Sequence, residues 1–163
     1  MTIHSIKMGF SPVYDEDSKL LILGSFPSVK SREISFYYGH KQNRFWKTVC
    51  GFFNREIPET IEGKIQFLKE KHIALWDIVT ECEIVGSSDS SVKNEKIADL
   101  SLILKTAKIG KVLLNGSLAY ELFCKHYAEY CERNGITFVK MPSTSPANPR
   151  FSKSVWENEL YGL

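Results

Sequence analysis

Two stretches of this sequence hold the residue types that work on a phosphate-bearing polymer would need. Between residues 29 and 47, Lys30, Arg32, Lys41, Arg44 and Lys47 stand against the single acid Glu33, a local charge of +4. They are interleaved with Phe36, Tyr37, Tyr38, Phe45 and Trp46. Between 138 and 153, Lys140, Arg150 and Lys153 meet no acid at all, giving +3. Cations neutralise phosphates, and aromatic faces stack on displaced bases. The whole chain carries only +2, so the remainder holds −5 and the positive charge is local. Phe45 and Trp46 fit the buried side of a helix. Tyr37 and Tyr38 precede Gly39 in an expected loop and fit a contact surface better.

Commoner chemistries lack their motifs. There is no G-x-x-x-x-G-K-[ST] and no G-x-G-x-x-G, so both widespread nucleotide-phosphate cradles are missing. No G-x-S-x-G elbow exists either, because Gly24-Ser-Phe-Pro-Ser28 puts Phe at the nucleophile position. A small-molecule hydrolase built on Ser28 or Ser145 would lack a histidine with an identifiable partnering role. Cys50, Cys82, Cys124 and Cys131 form no C-x-x-C pair, and His4, His40, His72 and His126 form no H-x-x-x-H. Neither a metal nor another cofactor is expected.

The elements that must position these residues follow from apolar runs alternating with helical patterns. Strands are expected over 19–24, 73–79, 111–116 and 136–141, with helices over 44–53, 60–72, 95–107, 117–133 and 154–161. In the fourth helix Leu118, Leu122, Tyr127, Tyr130 and Cys131 suggest one face, and Gly135 a stop. Such alternation predicts one α/β domain over 1–163, a parallel sheet with helices on both faces. A chain of 163 residues buries roughly 70% of its unfolded surface and needs no disulfides. The apolar run near the start spans only residues 20–23, so neither a signal peptide nor a spanning helix is expected, and the protein is read as cytoplasmic. Ligands of open parallel sheets sit beyond the strands' carboxyl ends. Those ends are 24–28, Asp77 with the Ser-rich loop 86–91, 115–117 and 142–148, all rich in Ser, Gly, Pro or Asn. Small hydroxyl residues such as Ser87 and Ser88 suit phosphate contact.

Three of these segments, taken in order, carry a resemblance. Gly24-Ser-Phe-Pro-Ser28, then Phe36-Tyr-Tyr-Gly-His-Lys-Gln-Asn-Arg-Phe-Trp46, then Ser143-Thr-Ser-Pro-Ala-Asn148 resemble the uracil-DNA glycosylase superfamily, above all its hypoxanthine-DNA (deoxyinosine) branch. The Gly-His-x-x-Asn-Arg-Phe-Trp stretch is also similar to the mismatch-specific uracil glycosylases. The resemblance implies a three-layer sandwich with a central four-stranded parallel sheet. It also implies hydrolysis of the base–sugar bond of a nucleotide flipped out of DNA, leaving an abasic site. Such a protein acts as a monomer on DNA with deaminated bases, hypoxanthine first and then uracil or xanthine.

Departures from the family pattern redistribute the roles. Uracil glycosylases carry Asp or Asn in the first motif to hold the attacking water; here the position is Phe26, which can stack on the flipped base but cannot orient water. Ser25 and Tyr38 are expected beside it at the base. The resemblance moves water positioning to Asn43, whose amide orients water but takes no proton. A helix N-cap is an equally ordinary use for that residue, and one Asn can do both. Asp77 is the rival, with a buried, hydrogen-bonded carboxylate as its alternative reading. The DNA backbone is expected at Pro27, Ser28, Lys30, His40, Arg44, Ser87 and Ser88. It is expected also along the third motif, at Ser143, Thr144, Ser145, Pro146, Ala147 and Asn148, which could otherwise be a plain strand-to-helix loop. Ser143 stands where relatives offer a histidine, and Ala147 where they insert a wedge. Both argue against a fast uracil enzyme and leave hypoxanthine preference in place; Phe26 and Ala147 keep open a catalytically idle DNA-binding module, and the Gly-His-x-x-Asn-Arg-Phe-Trp stretch a mismatch-type uracil enzyme.

Overall fold

A computed structural model describes residues 5–26, 36–84 and 93–163. Strand β2 (Leu20–Gly24) lies inside a parallel sheet, paired on one side with β3 (Ile73–Asp77) and on the other with β6 (Lys111–Asn115). Strand β7 (Thr137–Met141) extends the sheet beyond β6, giving the order β3-β2-β6-β7. Leu20 to Leu23 and Ile73 to Leu75 are buried along their whole length. A strand covered on both faces has no solvent side, so its sequence runs apolar instead of alternating.

The described helices are α1 (Phe45–Phe52), α2 (Ile61–Glu70), α3 (Ser101–Leu104), α4 (Ser117–Asn134) and α5 (Lys153–Leu160). Helix α2 packs on β3, α4 on β6 and β7, and α1 against α5. Thr60 starts α2 by accepting the Gly63 N–H on its hydroxyl at 3.0 Å. Gly135 ends α4 with φ +67, a left-handed turn that suits a residue without Cβ. The deepest stripe of α4 is Ala119, Phe123 and Cys131, four and eight positions apart; Leu118, Leu122, Tyr127 and Tyr130 flank it half-buried. Burial raises the Cys131 thiol to about 11, as expected of an unreactive core cysteine.

A second sheet departs from the expected pattern. Strands β1 (Ser5–Met8), β4 (Val79–Ile84) and β5 (Lys93–Ile97) form an antiparallel sheet in the order β1-β4-β5. The apolar run 73–79 is therefore two strands. It leaves the parallel sheet at Asp77, and Ile78 N–H bonds Gly24 O at 2.8 Å while Val79 N–H bonds Ser25 O at 3.0 Å. The helix expected over 95–107 is replaced by β5 and the short α3. Its charged residues favour a helix in isolation, but β4 offers an unpaired backbone edge, and that ladder outweighs the local preference. A surface ion pair of Lys96 with Glu81 at 3.0 Å adds little to it. Among the described residues no helix is long and apolar enough to cross a membrane, and no group of three metal-ligating side chains occurs.

Candidate functional site

The carboxyl edge of the parallel sheet sets four residues side by side. Gly24 is in register with Asp77 on one side, and Asn115 with Met141 further along. Because all four strands end together, the segments that leave them converge on one rim.

At the β3 end, Gly24 makes room for two polar side chains. A Cβ there would stand 2.5 Å from Asp77 Oδ1 and 2.9 Å from Tyr38 Oη. Asp77 is 4% exposed. Tyr38 reaches it from a left-handed backbone, φ +55, that a bulky residue adopts only when its surroundings enforce it. Its ring stacks on Phe45 at 4.3 Å between centroids, and its buried hydroxyl meets no hydrogen-bond partner, although the Asn115 amide lies close. Burial first, and the charge of Asp77 second, push the Tyr38 hydroxyl far above the ordinary phenol range; Asn115 acts against them. The same two causes, in the same order, raise Tyr37. Tyr37, expected at a contact surface, is a core residue at 2% exposure, its hydroxyl donating to Ser11 O at 2.8 Å. Phe26 is buried, with its ring edge 3.7 Å from where a Cβ on Gly9 would sit.

Between the two ends, the turn 40–43 delivers Asn43 to the start of α1. His40 Nδ1 accepts from Gln42 N at 3.0 Å and His40 O from Asn43 N at 2.9 Å. Asn43 Oδ1 accepts the Phe45 N–H at 2.9 Å, an Asx turn just ahead of the helix; the N-cap position itself falls to Arg44, which makes no side-chain cap bond. A carbonyl oxygen has two acceptor sites, which leaves capacity for one further donor.

At the β7 end, the segment 143–150 folds on itself. Ser143 Oγ accepts from Ser145 N, Ser145 Oγ from Ala147 N, and Asn148 Oδ1 from Arg150 N, while Asn148 Nδ2 donates to Ser143 O. Arg44 ties it to α1: its N–H donates to Thr144 O at 3.0 Å, and Nη2 donates to Ser145 O and to Asn148 O at 2.8 Å. The guanidinium also lies 4.5 Å over the Phe151 ring. Arg44, expected at a phosphate, thus turns Nη2 to two carbonyls of the protein, while its buried Nε meets no hydrogen-bond partner. Asn115, named only as part of a strand end, holds Thr144 from the other side through two bonds of 3.0 Å. Its signal was present in the sequence: an amide closing an otherwise apolar strand. Pro146 and Ala147 stand exposed at the tip, and Ser143, Asn148, Lys140, Arg150, Gly116 and Ser117 line a cavity of about 290 Å³ beside them. Lys140 and Arg150 with the amino end of α4 give that cavity positive character.

Indole groups brace the rim. Trp46 Nε1 donates to Tyr37 O at 2.9 Å, Trp76 Nε1 to Phe10 O at 3.1 Å, and Trp156 Nε1 to Pro142 O at 2.8 Å. Pro27, Ser28, Lys30, Ser87 and Ser88 lie outside the described residues. Of the remaining expected site residues, Ser25, Tyr38, Asn43, Asp77 and the third motif gather on this rim.

Residues 11–160 match the family model of the uracil DNA glycosylase superfamily. The chain is 36% identical over 157 residues to a hypoxanthine DNA glycosylase of Methanosarcina acetivorans, covering 93% of this chain and 96% of that one. A hypoxanthine DNA glycosylase of Methanosarcina barkeri is 32% identical over 150 residues, covering 91% and 92%. The solution NMR structure of a candidate uracil DNA glycosylase from Methanosarcina acetivorans superposes with a TM-score of 0.81 at 35% identity, covering 96% of this chain and 97% of that one.

Proposed function

Because this chain belongs to the uracil DNA glycosylase superfamily, we propose that it is a monofunctional DNA glycosylase. It hydrolyses the N-glycosidic bond of deaminated bases, hypoxanthine foremost, and leaves an abasic site. It works as a single domain over 1–163, as a cytoplasmic monomer on DNA. The observation that carries this reading is the meeting of Asn43, Asp77, Tyr38 and the segment 143–148 on one rim of the sheet.

The reaction needs an extruded nucleotide, a placed water and stabilised charge on both fragments. Ser25, Phe26 and Tyr38 receive the base. The second lone pair of Asn43 Oδ1 orients the water, and Asp77 is the other candidate for that place. Asn43 takes no proton, so rate comes from stabilising sugar cation and departing base more than from general-base catalysis. The backbone is gripped by the exposed tip at Pro146 and Ala147 with Ser143, Ser145 and Asn148, and by His40, Pro27, Ser28, Lys30, Ser87 and Ser88; Thr144, expected at the backbone, is buried and holds that segment from within. Arg44 supports that grip from behind.

The test is incubation with labelled duplexes containing deoxyinosine, deoxyuridine or deoxyxanthosine, followed by alkali. Strand scission at deoxyinosine is the expected result, and intact strands for every lesion at stoichiometric protein would defeat it. Scission at deoxyuridine alone would select a mismatch-type uracil enzyme; the solved relative is described as a candidate uracil DNA glycosylase. Salt-sensitive binding to lesion DNA without scission would select an idle binding module, for which Phe26 and Ala147 speak.

A further inference from the structure

Asn115 closes β6 at 9% exposure and directs both ends of its amide at one residue. Nδ2 donates to Thr144 Oγ1, and Oδ1 accepts from Thr144 N, each at 3.0 Å. Thr144 is 1% exposed, and its carbonyl accepts the Arg44 N–H at 3.0 Å. Asn43 is the residue before Arg44. A continuous bonded path therefore runs from the end of β6, through Thr144, to the start of α1.

From this path we infer that Asn115 is a positioning residue for cleavage. It touches neither DNA nor water. Through Thr144 it fixes the distance between the segment that grips the backbone and the amide that holds the water. The inference rests on the glycosylase reading. An amide suits the task because it presents a donor and an acceptor side by side, matching the hydroxyl and N–H of one threonine. Losing it strands a buried N–H that must then find another partner by moving. Small displacements matter here, since an error of about 1 Å in placing reacting groups costs on the order of 100-fold in rate.

The experiment compares the intact chain with Asn115→Ala, Thr144→Val, the double variant and Asn115→Asp. Asn115→Asp keeps an acceptor for the Thr144 N–H and lets the threonine hydroxyl donate. Single-turnover cleavage of a deoxyinosine duplex is measured at saturating protein, well below each melting midpoint, beside affinity for undamaged duplex. Asn115→Ala is expected to cleave about 100-fold more slowly, and Thr144→Val about 10-fold, with affinity changed less than about threefold. The double variant should be no slower than Asn115→Ala, because both changes cut one path. Asn115→Asp should recover most of the rate. Effects that multiply, or an Asn115→Ala rate within about threefold of the intact chain, would overturn the inference. If the intact chain cleaves nothing, the glycosylase reading falls and amide exchange without DNA decides the positioning role. Faster exchange over 143–148 in Asn115→Ala then upholds it, and unchanged protection sinks it.

Discussion

At the β7 end of the rim, the segment 143–150 answers its own polar groups, and Arg44 and Asn115 bolt it to α1 and β6. At the β3 end, Tyr38 sits in left-handed backbone with a buried hydroxyl that no partner answers, pressed with Asp77 over a glycine. One end is densely bonded, with Arg44 Nε left buried and unanswered, and the other is strained, although both belong to the same sheet edge. Satisfied polar networks fix geometry, whereas strain held in place by surrounding packing marks where a fold has been shaped for something besides its own stability. The β7 end is suited to holding a backbone still. The β3 end is suited to a group that arrives and supplies what is missing.

The sharpest challenge to this division falls between the two ends. Asn43→Ala is expected to lower single-turnover cleavage by about 1,000-fold, near 4 kcal/mol of barrier, while DNA affinity persists. The lost bond to the Phe45 N–H should lower stability by about 1 kcal/mol, which a melting curve separates from the rate effect. Undiminished cleavage would move water positioning to Asp77. Gly24→Ala comes next: a methyl 2.5 Å from Asp77 Oδ1 and 2.9 Å from Tyr38 Oη must displace one of them. A loss of about 2 kcal/mol in denaturant unfolding is expected; a neutral result would mean that the β3 end is loose instead of strained. Arg44→Lys keeps the charge but loses the planar fork that serves two carbonyls. About 1 kcal/mol of stability and faster exchange over 143–148 should follow, and unchanged exchange would deny the β7 end its rigidity.

Tyr38→Phe has the smallest expected effect and an informative sign. Removing an unanswered buried hydroxyl should leave stability at pH 7 unchanged or raise it by up to about 1 kcal/mol. The folded pKa of Tyr38 lies above the unfolded value near 10, so its neutral form is favoured by folding. That contribution is complete below about pH 10 and is lost as pH climbs above it. Thermal melts from pH 7 to 11 should therefore fall less steeply for Tyr38→Phe than for the intact chain, with Tyr37, Tyr127, Cys50 and Cys131, all raised by burial, contributing to the slope that remains. Identical alkaline slopes would place the hydroxyl in solvent.

The parallel sheet was legible because strands buried on both faces write themselves as apolar runs, and 20–23, 73–76 and 112–114 are such runs. Helices α1, α2, α4 and α5 were legible to within one or two residues from their periodicity and from Gly135. The antiparallel sheet was not, because β5 is a charged segment whose strand character comes from pairing with β4, a fact about distant residues. For the same reason nothing local announces that the run 73–79 changes sheets at Ile78. In the site, residue types pointed to Asn43, Asp77 and the third motif. They could not tell that Tyr37 turns inward, that Arg44 bonds carbonyls, or that Asn115 grips Thr144, since each depends on which neighbours the fold supplies.

The three tryptophans of the chain each donate their indole N–H to the carbonyl of a segment bordering the rim. Trp46 reads the position of Tyr37, next to Tyr38, and Trp156 reads Pro142, next to Ser143. Indole emission shifts in colour and yield when that bond or its surroundings change. The molecule thus carries its own optical gauge at either end of the rim, and Trp46→Phe against Trp156→Phe would tell in unlabelled protein which end moves when DNA arrives.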